Sequence, residues 1–478
     1  MTDSKMSAGL SAENNTTNNT PLPQEVTKYL RKYSIEKWQL ETSDTFSAKS
    51  PFVHMAVVIP AIMEFENIKS LLLSLASNDP ECFSKTIIIF VVNNTRSASD
   101  EIKTNNLHTL EFLREIIFNA SATKDGKPCF NDNAALTDIQ KEIISSGLQI
   151  GLIDASSNQL ELPEKDGGVG LARKLGMDMA LRIFDYNFSG KKILVCLDAD
   201  CTVSRNYLSE IYSAFQKRKL QAAAVNFSHA IDKIEGEHAE AIICYEIFLR
   251  YYVLGLTYAH SHYGFHTIGS TMACDHESYI KVEGMNKRKA AEDFYFMEKL
   301  AKVVPISKIN STFVYPSPRG SWRVPFGTGQ RVNRHLSHVQ NEYLLYSPKS
   351  FHTLKLWLSA YNLPEAQSAK FYLEEAKKIN SALYDFLIHQ NFERDYSRII
   401  QNAKKPEQLL RQKSSWFDGF RTLKLIHYLR DHSFADEPMF DALGEIFSLC
   451  GIKFQSGSKG IIPPLEIQKK YLKEMLNV

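Results

Sequence analysis

Four short apolar runs rich in β-branched residues, at 53–60, 86–93, 150–155 and 192–198, alternate with helical patterns at 66–77, 107–119 and 170–184. Strands alternating with helices predict βαβ units and a mainly parallel sheet with helices on its faces. The expected fold class is α/β. Open sheets of this kind bind ligands beyond the carboxyl ends of their strands, so the residues just after each run carry the most information.

The chain has 478 residues, too many for one ordinary domain. Hydrophobic residues at 44% and charged residues at 23% suffice to bury a core. Residues 1–20 are polar and Asn/Thr-rich, and predict a disordered tail without the apolar stretch of a signal peptide. Residues 21–52 form a helical lead-in, with an amphipathic pattern at 23–33. The α/β unit is expected over 53–345, with 120–148 as an insertion holding a helix at 134–146. After 346 strand patterns nearly vanish. Helical patterns at 354–361, 365–387, 408–429 and 440–449 predict a C-terminal helical domain, in which the basic run 404–413 reads as a solvated helix face.

The most apolar window, 241–259, holds Glu246 and Arg250 near its middle and reads as a buried helix rather than a membrane span. Seven cysteines without a Cys-x-x-Cys pair fit free thiols in a reducing compartment. The expected location is cytoplasmic, with association to a membrane surface left open. A net charge of +2 argues against a nucleic-acid partner, yet leaves room for a local basic pocket facing an anionic small molecule.

Leu194-Val-Cys-Leu-Asp198-Ala-Asp200 is an apolar strand that ends in two carboxylates. Alternation places Asp198 and Asp200 on one side of the chain, where they can share Mg²⁺ or Mn²⁺. A cation held there would neutralise a diphosphate leaving group. A surface turn with two Asp is the plain alternative. Glu292-Asp293, a second carboxylate pair, opens a helical pattern, where a carboxylate suits the helix dipole; simple capping is the alternative. Upstream, Gly269 and Gly284 would let a backbone approach a sugar ring. Arg319, Arg323 and Arg331, with Gly327-Thr-Gly329, could cradle a diphosphate or form an ordinary loop.

In this order, over about residues 53–335, the motifs resemble glycosyltransferase family 2 and related GT-A enzymes. Val57-Val-Ile-Pro60-Ala-Ile-Met-Glu64 resembles the family's opening strand and its Pro-x-x-x-Glu turn, which implies Pro60 and Glu64 near the nucleoside. Gly170-Leu-Ala-Arg173 resembles the Gly-x-x-x-Arg/Lys helix before the metal motif. Asp198 and Asp200 match Asp-x-Asp, and Glu292-Asp293 matches the Glu-Asp motif, in which the Asp is the usual base. The resemblance implies a GT-A (Rossmann-like) nucleotide-sugar-binding domain and a divalent cation. It further implies a nucleoside-diphosphate sugar donor, a hydroxyl acceptor and an inverting displacement. A late His as a further metal ligand points to His335 or His338.

Two departures stand out. The second strand ends in Asn93-Asn94 rather than an acidic pair, so Asn93 would meet the base with donor and acceptor groups. The Gln-x-x-Arg-Trp motif of membrane-bound processive synthases is missing. A sugar-phosphate nucleotidyltransferase is the first alternative, disfavoured by the absence of a Gly-rich loop after the first strand. A non-catalytic sugar-nucleotide scaffold is the second, disfavoured by Asp200 and Glu292-Asp293. His260, His262 and His266 read as acceptor-pocket or core residues, their spacing matching no zinc signature.

Overall fold

The computed structural model describes residues 21–44, 46, 52–122, 128–130, 134–231, 234–319, 328–338, 341–454 and 459–476. The expected tail at 1–20 lies outside the described residues.

The chain begins with the helix Gln24–Tyr33, then β1 (Glu41–Thr42), β2 (Met55–Ala61) and β3 (Thr86–Asn93). A small hairpin follows, β4 (Ala120–Ala122) with β5 (Pro128–Phe130). The remaining long-range strands are β6 (Gln149–Ala155), β7 (Ile193–Cys196), β8 (Thr202–Val203), β9 (Ala222–Phe227), β10 (Met272–Asp275) and β11 (Ile306–Tyr315). They form a nine-stranded sheet in the order β1-β6-β3-β2-β7-β10-β9-β11-β8. Neighbours from β6 to β7 pair in parallel, as do β9 and β11. β10 runs against both β7 and β9. The mainly parallel α/β sheet read from the alternation is the sheet that forms.

All eight residues of β3 are buried, as expected for a strand covered on both faces. One face packs Val57, Ile59, Phe90 and Val92 against Leu71, Leu72 and Leu113 of the flanking helices. The other packs Val58, Ile89 and Val91 against Leu171, Leu175 and Met297. Gly176 permits that second contact: a Cβ there would stand 2.3 Å from Val58 Cγ1. Helix Val169–Ile183 therefore lies directly on the sheet, and its first turn lies beside the strand ends.

Several local details differ from the sequence reading. The insertion helix starts at Asp138, because Thr137 and Gln140 form a reciprocal capping box that sets its start. The patterns at 365–387 and 408–429 each predict one helix, and each forms two. Asn380 stops Ala369–Ile379 and starts Ser381–His389, its side chain accepting from the Ala382 and Leu383 N–H groups. Asp418 does the same between Pro406–Trp416 and Gly419–His432, accepting from the Arg421 N–H. In both cases a short polar side chain offers the backbone a cap in place of another helical turn. Nor is the basic run 404–413 solvated throughout. Lys413 is buried, donating to the Leu363 carbonyl and the Tyr372 hydroxyl at 3.0 Å each.

Helix Gly236–Tyr258 joins the sheet to the C-terminal helices. Its Ile243, Ile247, Tyr251 and Leu254 share a core with Phe351, Trp357 and Leu443. Glu246 and Arg250 are buried as a pair, and Glu246 also takes His229 Nδ1 at 2.7 Å. No helix among the described residues is long and apolar enough to cross a membrane.

Candidate functional site

The chain leaves β7 through Leu197-Asp198-Ala199-Asp200. Leu197 and Ala199 are buried, whereas the Asp198 and Asp200 side chains stay 37% and 26% exposed. The alternation of burial continues past the last ladder bond and leaves both carboxylates partly exposed. A turn closed by the Cys201 N–H on the Asp198 carbonyl, at 3.2 Å, holds them there.

Arg173, on the first turns of helix Val169–Ile183, reaches into this corner. Its buried guanidinium bridges the Asp198 and Glu292 carboxylates. Burial opposes its charge, but the two carboxylates prevail and keep it firmly protonated. Gly269 makes room for this group: a Cβ there would stand 2.3 Å from Arg173 Nη2 and 2.8 Å from Cζ. Gly269 thus accommodates an arginine, where the sequence reading had it accommodate a sugar. Gly284, at φ 74°, is crowded by the Tyr29 hydroxyl, so it too serves packing. We expect Gly269→Ala to lower stability by about 1–3 kcal/mol, the usual cost of overpacking a filled site. A thermal midpoint equal to wild type would show that Arg173 has space to move aside.

Helix Glu292–Ala301 begins after Ala291, whose φ of 58° is left-handed and costly for a residue with a Cβ. Glu292 is buried against Arg173. Asp293 is partly exposed by area but enclosed by protein. Burial, then the adjacent Glu292 carboxylate, push its carboxyl up to about 7. Arg173 and the Phe294 N–H, at 2.7 Å, pull the other way without winning. Asp198 adds to the upward push, which places Asp293 in the same electrostatic neighbourhood as the end of β7.

A second guanidinium lies on the other side of the Asp pair. Arg319, after β11, bonds Glu64 and also reaches Asp200 Oδ2 at 3.2 Å. Glu64 starts the helix after β2, following Met63 at φ 57°. That turn is held by Asn106, which accepts from the Met63 N–H at 2.9 Å, and by Asn105, which accepts from the Phe65 N–H at 3.1 Å. Both asparagines lie mid-helix, and no motif in the sequence pointed to them. Pro60 sits half-buried near the end of β2, in register with Val91.

The structure therefore gathers Glu64, Arg173, Asp198, Asp200, Glu292, Asp293 and Arg319 beyond the carboxyl ends of the central strands β2 and β7. Other candidates lie elsewhere or are occupied. Asn93 is buried, and its amide donates to the Ala61 and Val91 carbonyls at 3.1 and 3.0 Å. Arg331 pairs with Glu342 and covers the Phe248 ring at 4.2 Å. His335 has its ring 5.6 Å from Tyr343, with Glu240 and Glu342 as its acidic neighbours. Arg323 and Gly327 lie outside the described residues, and Thr328–Gly329 open the helix Thr328–Leu336 instead of a turn. His338 is exposed, at φ 51°. His262 bonds the Ala301 carbonyl at 2.7 Å, and His266 lines a cavity of about 40 Å³ with Arg250 and Lys308.

Asp198 and Asp200 offer only carboxylate oxygens, the donors that Mg²⁺ and Mn²⁺ favour. The nearby Cys201 thiol is buried and held in its protonated form, so it does not compete. Among the described residues no group of three or more His, Cys, Asp and Glu is gathered as a metal cage. A two-carboxylate platform fits a cation that takes its other ligands from phosphates and water.

No protein-family model and no curated protein matches the chain. Solved structures align over most of its length at low identity. S. aureus TarS 1–349 aligns at 11% identity, covering 84% of this chain and 93% of that one, with a TM-score of 0.34. The same protein in complex with UDP-GlcNAc aligns at 13% identity over 84% and 93%, again at 0.34. The mannosyltransferase PcManGT from Pyrobaculum calidifontis, in complex with GDP-Man and Mn²⁺, aligns at 12% identity over 85% and 92%, with a TM-score of 0.33. Scores of this size do not by themselves assign the chain to a family.

Proposed function

We propose that this chain transfers a sugar from a nucleoside-diphosphate sugar to a hydroxyl acceptor, with inversion and with Asp293 as general base. The observation that carries the proposal is the clustering of the Asp198–Asp200 pair with a carboxyl whose pKa is raised to about 7. An acid–base group poised near the working pH is what proton abstraction from a hydroxyl requires.

Asp198 and Asp200 would hold the divalent cation, which when bound offsets the charge of the departing diphosphate. Arg319, whose side chain is about one-third exposed, can donate to phosphate oxygens from beside Asp200. Glu64, joined to Arg319, fixes where that guanidinium starts. Arg173 stays buried between Asp198 and Glu292, so its part is to orient both carboxylates. Glu292 is tied to Arg173, which leaves Asp293 as the carboxyl able to receive a proton. Among the described residues Asp293 is the carboxyl of this cluster that no arginine engages, which supports single displacement with one base.

The turn after β2 carries Met63 and Glu64 in place of glycines, which gives no support to a nucleotidyltransferase.

Arg319→Ala tests the donor side. A charge-assisted hydrogen bond contributes about 1.5–3 kcal/mol, so nucleoside diphosphate binding should weaken roughly 10–100-fold. Binding of the free nucleoside should barely change. Equal losses for both ligands, measured by calorimetry, would contradict a phosphate role for Arg319.

A further inference from the structure

A cavity near the far edge of the sheet has no part in the donor chemistry. β11 pairs with β9 along one side, while β8 meets it on the other at Val314 and Tyr315. The first half of β11 therefore lies at the sheet edge. Alternation sends Ile309 into the core that holds Val225 and leaves Lys308 on the opposite face, in register with Ala224. Ala224 is small, and a cavity of about 40 Å³ remains on that face. Helix Gly236–Tyr258 walls it through Arg250, the segment before Gly269 through His266, and the last helix, Leu465–Leu476, through Met475.

The charges around this cavity do not balance. Arg250 is offset by Glu246. Lys308 is half-buried; burial and then Arg250 push its pKa down, and no carboxylate opposes them. Among the described residues it has neither an ion pair nor a hydrogen-bond partner. Burial, then Arg250 and Lys308, push His266 down to about 3 against Glu246, so its ring is neutral and keeps one N–H. Asn226 is 7% exposed. Its Oδ1 accepts from the Phe227 N–H at 2.9 Å and from Arg250 at 3.4 Å, which leaves Nδ2 as a donor on the cavity wall. Asn310 lines the cavity where β11 bulges: Ile309 pairs with Val225, but Phe313 pairs with Asn226.

An ammonium drawn out of water without a counter-charge costs free energy that a bound anion recovers. The donors stand on separate walls, Lys308 on β11, Asn226 on β9 and His266 on a loop, which suits an anion with oxygens on several sides. One water needs roughly 10–15 Å³ on the same measure, so the space suits a single phosphate and is too small for a nucleotide. We propose that this cavity binds one inorganic phosphate through Lys308, Asn226 and His266, and that the anion fastens the last helix to the sheet.

The test uses the full chain, free of nucleotide and Mn²⁺, with phosphate or acetate at constant ionic strength. Phosphate should bind saturably and raise the thermal midpoint by roughly 2–3 °C at a hundredfold excess over its Kd. Acetate, with fewer oxygens for the donors, should bind about tenfold more weakly or worse. Lys308→Met should lose about tenfold or more in phosphate affinity. It should melt no lower than the wild type in phosphate-free buffer, because it removes an uncompensated cation. Lys308→Arg should keep the phosphate response. Arg319→Ala should keep it too, which separates this cavity from the proposed diphosphate contact. Phosphate should also slow hydrogen exchange in Leu465–Leu476 of the wild type but not of Lys308→Met. Absence of saturable binding, acetate as tight as phosphate, or a response lost in Arg319→Ala and kept in Lys308→Met overturns the site. A Lys308→Met chain that melts well below the wild type does so as well, by revealing a protein partner for the ammonium. Binding that leaves exchange in the last helix unchanged overturns the fastening role.

Discussion

Asp293→Asn is expected to slow transfer by about 10²–10⁴-fold, the usual contribution of a general base, while donor and cation binding stay near wild type. The substitution keeps shape and hydrogen bonding but cannot accept a proton. The wild-type rate should also rise with pH and level off above about 7, where the Asp293 carboxyl loses its proton. The stability sign runs the other way. The folded chain keeps this proton to about 7, whereas an unfolded chain releases it near 4. Wild-type stability contributed by this group therefore falls as pH rises across that interval, and the Asn variant should lack that fall. A variant with near-normal turnover, or one that loses donor binding together with turnover, would remove Asp293 as the base.

Arg173→Met is the substitution expected to cost most in stability. It removes the cation from a buried bridge and leaves Glu292 without its partner. Breaking a buried pair in this way costs about 3–5 kcal/mol, a drop of roughly 3–8 °C in thermal midpoint for a chain of this size. Arg173→Lys should recover part of that loss, because it returns the charge but not a fork that reaches two carboxylates. A Met variant that melts with the wild type would mean that Glu292 finds another partner or takes up a proton at little cost.

The parallel core was legible because β2, β3 and β7 are apolar on both faces and alternate with helical patterns. The end of β7 was legible for a related reason: buried Leu197 and Ala199 alternate with Asp198 and Asp200. What escaped were contacts between residues far apart in the chain. The Arg173 bridge to Glu292 and the Arg319 bridge to Glu64 and Asp200 exist only once the sheet brings their strands together. Asn93 reads as a base contact by position, but its amide meets two backbone carbonyls at the crowded ends of β2 and β3. Gly269 and Gly284 look like openings for a ligand until Arg173 and Tyr29 are seen to fill them. The helix breaks at Asn380 and Asp418 were missed because apolar periodicity continues through both. Glu246 and Arg250 stood at i and i+4 spacing, which could have signalled their buried pairing with each other, though not with His229.

The central claim is that Asp198 and Asp200 form a cation platform for a nucleoside-diphosphate sugar. Calorimetric titration of wild type and Asp200→Asn with UDP-sugars and GDP-sugars, with and without Mn²⁺, tests it most directly. The account predicts that the wild type binds at least one of these donors in a Mn²⁺-dependent manner. Asp200→Asn should weaken that binding by roughly 10–100-fold or more, since even outer-shell changes at metal sites cost that much. Donor affinity that ignores Mn²⁺, or that is the same in Asp200→Asn as in the wild type, would contradict it.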